Sequence, residues 1–146
     1  MAVETIGMPL RLLVLVCLAL LACSGCGSGD ETAGAQVVRI TERDFRISAP
    51  KYVRAGDVLL SVRNRGPDAH ELIVVRERSS RLPLRRDGST VSEEKLEPVI
   101  VGVLEAGQPG SVRKLRLHLP PGRYQLFCNM SGHYLGGMHH TLVVRR

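Results

Sequence analysis

From residue 36 onward, short apolar runs alternate with polar turns. The runs VVRI, VLLSVRN, HELIVVRE, VIVGVLE, SVRKLRLHL, RYQLFCN and HTLVVRR are rich in Val, Ile and Leu. They are punctuated by RAGD, NRGPDA, EAGQPG and LPPGR. The period is two rather than 3.6, which predicts strands and not helices. In SVRKLRLHLP the apolar positions Val112, Leu115, Leu117 and Leu119 include a clean alternation with Arg116 and His118 on the opposite face. About seven to eight short strands at this spacing predict an all-β fold, an antiparallel Greek-key β-sandwich. One short helix is expected at Ser92–Leu96, with Ser92 as its cap, inside a loop of about 20 residues from Arg78 to Glu97.

The first 35 residues follow a different pattern. Arg11 precedes an apolar run of eleven residues from Leu12 to Ala22. That is too short for a lasting bilayer span, which needs about 20 residues, and it has the length of the apolar region of a secretory signal. LLAC at positions 20–23 resembles a bacterial lipobox. The expected organisation is a lipoprotein-type signal peptide over 1–22, a lipidated Cys23 opening a flexible linker over 23–35, and one domain over 36–146. The linker is Gly- and Ser-rich, with one Asp, one Glu and one Thr, and has almost nothing to bury.

Cysteine use narrows the chemistry. Cys17, Cys23 and Cys26 lie in or just past the signal, so the domain carries Cys128 alone and has no intramolecular disulfide. Cys23-Ser24-Gly25-Cys26 has redox-pair spacing but no βαβ context. A lone thiol in an oxidising compartment needs a partner. Residues 127–140, FCNMSGHYLGGMHH, supply candidates: Cys128, then His133, then Met138, with Gly132, Gly136 and Gly137 to let the chain turn. His70, following a Gly-Pro turn at a strand start, is the fourth. Each alone reads as core or surface filler. Together, a thiolate, two imidazoles and a thioether are the donor set of a mononuclear blue-copper electron-transfer site. Structural zinc sites rarely use a thioether. His139 and His140 read as solvated, His118 as part of a polar strand face, and Met130 as an axial rival only under a different loop fold.

These residues resemble the cupredoxins, the small blue copper proteins related to plastocyanin and azurin. The resemblance runs from VVRITERDFRI through KYVRAGDVLLSVRNRGPDAHELIVV to PPGRYQLFCNMSGHYLGGMHHTLVV. An N-x-G-x3-H strand start precedes a G-x-Y-x-L-x-C-x4-H-x4-M loop, in the order that family uses. The Cys–His–Met spacing is closest to the rusticyanin and sulfocyanin type. The resemblance implies His70, Cys128 and His133 as equatorial copper ligands, Met138 as the axial one, and one copper per chain. Glu71 departs from the Asn or Ser that often follows the first ligand histidine. Phe127 and Asn129 flank Cys128, so no histidine beside the cysteine links it to a second copper centre, and a single cysteine excludes a binuclear one. No nucleophile–base pair or carboxylate dyad is placed by any motif, so an enzyme is not expected.

Charge changes the picture only slightly. Twenty Lys and Arg against 14 Asp and Glu give +6. With five Phe and Tyr, no Trp and no binding motif, nucleic acid is not an expected partner. The excess suits steering toward an acidic, transient redox partner protein, or toward anionic headgroups at a membrane the lipid anchor already holds. The expected function is an exported electron carrier on the extracytoplasmic side of the cell membrane. The alternative is a copper donor or store for another cuproprotein.

Overall fold

The computed structural model describes residues 34–77 and 81–146. The expected signal peptide, Cys23 and most of the linker lie outside the described residues. Along the described chain run β1 (Gln36–Arg43), β2 (Arg46–Ser48), β3 (Tyr52–Arg54), β4 (Gly56–Asn64) and β5 (His70–Arg76). Helix α1 (Glu93–Leu96) and a 3-10 turn (Glu97–Val99) follow, then β6 (Ile100–Gly107), β7 (Val112–Leu119), β8 (Gly122–Phe127) and β9 (His139–Arg145). No described helix is long and apolar enough to cross a membrane.

The strands form two sheets, β2-β1-β4-β7 and β3-β9-β8-β5-β6. The expected sandwich is present, with two departures from a wholly antiparallel pattern. β1 pairs parallel to β4, and β3 parallel to β9. The cause is the excursion through β2 and β3. The chain leaves the first sheet, adds a short strand to the edge of the second, and re-enters the first alongside β1 in the same direction, as a crossover must. β2 and β3 have three residues each, too few to display an alternation in sequence.

Alternate positions face inward. Val38, Ile40, Val58, Leu60, Val62 and Leu119 from one sheet meet Leu72, Val74, Tyr124, Leu126, Leu142 and Val144 from the other. The Tyr124 hydroxyl donates to Pro120 O at 2.9 Å, pinning the turn into β8. On β7, Leu115 and Leu117 pack on this core, whereas Val112 joins the outward series and is exposed. β5 reads LIVV without alternation because both its faces are covered. Its outer face, with Ile73 and Val75, packs beneath Leu82, Val91 and Leu96 of the segment between β5 and β6, beside Phe127 and Tyr134. That segment contains the expected helix. Ser92 stands at its N-cap in extended backbone but makes no side-chain capping bond. Cys128 and Met138 belong to the main core, so the chain joining β8 to β9 begins and ends inside the sandwich.

Candidate metal centre

Two connections build the site. Asn64 at the end of β4 organises the first: its Nδ2 donates to Asp68 O at 2.7 Å and Gly107 O at 2.9 Å, and its Oδ1 accepts from Gly66 N–H at 2.8 Å. A buried carboxamide with three partners fixes the turn, and the turn delivers His70 as the first residue of β5. The second connection is the β8–β9 loop. Cys128 N–H donates to Met138 O at 3.1 Å, Met138 N–H to His133 O at 2.9 Å, and Gly136 N–H to Gly132 O at 2.8 Å. Gly132 (φ 79°) and Gly137 (φ 103°) occupy the left-handed region, where a side chain is strained. Gly136 does not. It is glycine for space, because a Cβ there would run into the Phe45 ring.

The loop and the turn bring His70, Cys128 and His133 together, with one ligand atom from each lying within 4.8 Å of the others. Cys128 Sγ is 3.5 Å from His133 Nδ1, and the two imidazole centroids are 5.2 Å apart. His70 and Cys128 are fully buried, while His133 is half-buried. Met138 is also buried, and its main chain bonds to both Cys128 and His133. Burial pushes the Cys128 thiol up; main-chain N–H groups of Met130 and Glu71 donate toward its sulfur and oppose that shift. Burial and the neighbouring His133 hold His70 below its ordinary value, against the pull of Asp44. Neither ring nitrogen of His70 has a well-aligned hydrogen bond. A buried imidazole with no aligned hydrogen bond, beside a thiol and a second imidazole, fits one bound copper ion, with soft sulfur and borderline nitrogen as donors. The remaining candidates stand apart: His118 contacts Asp57, His140 reaches Pro50 O, and His139 and Met130 are exposed.

No family model matches the sequence, and no curated protein is significantly similar to it in sequence. Solved structures are similar in fold. Reduced auracyanin from Roseiflexus castenholzii shares 18% identity over 77% of this chain and 100% of its own, with a TM-score of 0.58. Auracyanin A from Chloroflexus aurantiacus, a blue copper protein, gives 16%, 77%, 100% and 0.56. Rusticyanin from Thiobacillus ferrooxidans gives 14%, 76%, 79% and 0.57. The chain has the cupredoxin fold.

Around the cluster, this cupredoxin fold is lined by residues that sequence reasoning left without a role. The two-residue turn between β1 and β2, Asp44-Phe45, reaches both imidazoles. Asp44 Oδ1 lies 3.0 Å from His70 Nε2, and the Phe45 ring meets His133 edge-on, with centroids 5.5 Å apart. Phe45 adopts φ 58°, a conformation bulky side chains rarely take. Glu71, the residue that departs from the family pattern, accepts the Asn129 N–H at 3.0 Å. It therefore tethers the chain immediately after Cys128. The Asn129 side chain accepts from Val91 N–H at 2.6 Å and donates to Val91 O at 3.1 Å and Glu93 Oε1 at 2.7 Å. The ligand loop is thus clasped from outside by the segment preceding α1. The only hint in sequence was position: Asn129 adjoins the cysteine, and Asp44 interrupts two apolar runs as a turn residue does.

Proposed function

We propose that this protein is an exported electron carrier holding one type 1 copper ion at His70, Cys128, His133 and Met138. A lipidated Cys23 tethers it to the extracytoplasmic face of the cell membrane. The observation that carries the reading is the convergence of a buried thiol, a buried imidazole with no aligned hydrogen bond and a half-buried imidazole. The fold shared with auracyanin A, a blue copper protein, supports it. When bound, copper supplies a one-electron Cu(II)/Cu(I) couple.

The chain's own residues do the rest. Cys128 gives up its proton on metal binding, and the Met130 and Glu71 amides stabilise the resulting thiolate. His70 and Cys128 exclude water from one side of the site. His133 leads outward, and exposed Phe45 and Leu135 frame it with a small apolar surface suited to brief encounters. Arg43, Arg46 and Arg65 line a cleft of about 300 Å3 with Thr41 and Ser48, at the same hairpin that bears Phe45. Three cations beside the exit favour an acidic partner, chiefly through its rate of encounter.

The loop's internal hydrogen bonds and the Asn129 clasp give a frame that keeps its shape in both oxidation states. A copper donor would need that frame to open. Stopped-flow mixing of the reduced protein with an oxidised acceptor, run beside copper transfer to an apo acceptor, separates the two. Fast electron exchange that slows in Leu135→Asp or Phe45→Asp supports the carrier. Rapid loss of copper with sluggish self-exchange refutes it. For the anchor, Cys23→Ala should shift the mature protein from the membrane to the soluble fraction, and an unchanged membrane fraction contradicts lipidation there.

A further inference from the structure

His70 Nε2 meets Asp44 and Gly66 on one side. Asp44 Oδ1 lies 3.0 Å away, and Gly66 turns its bare Cα toward that same contact. A Cβ on Gly66 would sit 2.7 Å from His70 Nε2 and 2.7 Å from Asp44 Oδ1. Gly66 is not among the glycines with positive φ, so its backbone would accept alanine. What requires glycine is room for the carboxylate–imidazole contact. Its N–H is held by Asn64, which keeps that gap open. The ring is fully buried while the Asp44 side chain is about one-quarter exposed, at 26%. The contact is therefore a partly solvated carboxylate reaching in to a dry imidazole.

We propose that Asp44 is a positioning residue for His70: its Oδ1, at 3.0 Å but off the hydrogen-bond line here, turns to accept the Nε2 proton and fixes the tautomer that leaves the Nδ1 lone pair free for the metal. An imidazole whose far N–H is held by a carboxylate is oriented and made a stronger donor, and loss of such a partner typically lowers metal affinity by about 10- to 100-fold. A stronger donor favours Cu(II) over Cu(I), so Asp44 holds the reduction potential down. The potential and affinity consequences rest on the copper reading, while the tautomer does not. Gly66 serves the same contact by leaving space for it.

The test uses the metal-free and copper-loaded protein with Asp44→Ala, Asp44→Asn and Gly66→Ala. Asp44 sits in a two-residue hairpin turn, so its variants should keep the unfolding midpoint of the wild type. In the metal-free protein at pH 8, 15N–1H long-range NMR should show His70 as a single Nε2–H tautomer. Asp44→Ala and Gly66→Ala should show a tautomer mixture. In the loaded protein all three variants should have a higher potential, and Asp44→Ala should bind copper about 10-fold or more weakly. An unchanged tautomer in Asp44→Ala overturns the proposal, and so does an unchanged potential in a variant that still binds copper. The tautomer measurement needs no metal, so it decides the Asp44 contact even if the wild type takes up no copper, a result that would sink the copper reading alone.

Discussion

Replacing Asn129 with alanine removes three hydrogen bonds from one buried carboxamide, at 2.6, 3.1 and 2.7 Å. Two of them satisfy the N–H and C=O of Val91, which is completely buried. The bridge between Leu84 and Val91 offers these groups nothing, because its hydrogen bonds run through Arg85 N to Thr90 O and Ser92 N to Pro83 O. Each stranded Val91 group costs about 1–3 kcal/mol, while the bond to exposed Glu93 adds little. Partial relaxation makes about 2–4 kcal/mol the expected total, a large fraction of the stability of a domain this size. The segment that holds Leu82, Val91 and Leu96 against Ile73 and Val75 should loosen first. The assay is urea unfolding of the metal-free protein, with limited proteolysis mapped by mass spectrometry. Asn129→Ala should lower stability by the stated amount and open new cleavage sites between residues 81 and 99. Asn129→Asp should be no better at pH 8, because it sets a carboxylate against Val91 O and Glu93. A change below about 0.5 kcal/mol in Asn129→Ala, the range of ordinary surface substitutions, would refute the clasp.

Glu42 is buried against Arg113, and burial pushes its carboxyl up to about 7 from 4.5. The folded state therefore holds that proton more tightly than the unfolded chain does. Its contribution is full below pH 4.5 and is lost as pH rises through about 7, a fall of about 3 kcal/mol. Wild type minus Glu42→Gln, measured by urea unfolding from pH 4.5 to 8, should show this decline, and a flat difference would contradict it. Met138→Leu should leave copper bound with a raised potential, because a weak axial donor that favours Cu(II) is removed; voltammetry showing no shift would argue that Met138 is not axial. Tyr124→Phe loses the bond to Pro120 O and should cost about 1 kcal/mol, visible as a thermal midpoint several degrees lower.

Seven of the nine described strands were readable as apolar runs because each is long enough, or flanked sharply enough, to show its pattern. β2 and β3 were not, and with them went the parallel pairings, since three residues carry no periodicity. His70, Cys128 and His133 were legible because a thiol, two imidazoles and the glycines between them are scarce residue types at telling intervals. Asp44, Phe45 and Asn129 are common residues whose roles depend on partners distant in sequence: Asp44 acts on His70, and Asn129 on Val91. No local pattern encodes such contacts. Glu71 illustrates the same limit, because its departure from the family pattern was visible but its bond to the amide after Cys128 was not.

If Cys128, beside His70 and His133, binds copper through its sulfur, the thiolate must show in the spectrum of the bound ion. The most direct measurement is the optical and paramagnetic resonance spectrum of the protein after addition of one equivalent of Cu(II). An intense visible thiolate-to-Cu(II) band at one copper per chain, abolished by Cys128→Ser, is the predicted result. Colourless Cu(II) binding, or a band that survives Cys128→Ser, would rule out a copper–thiolate bond at Cys128.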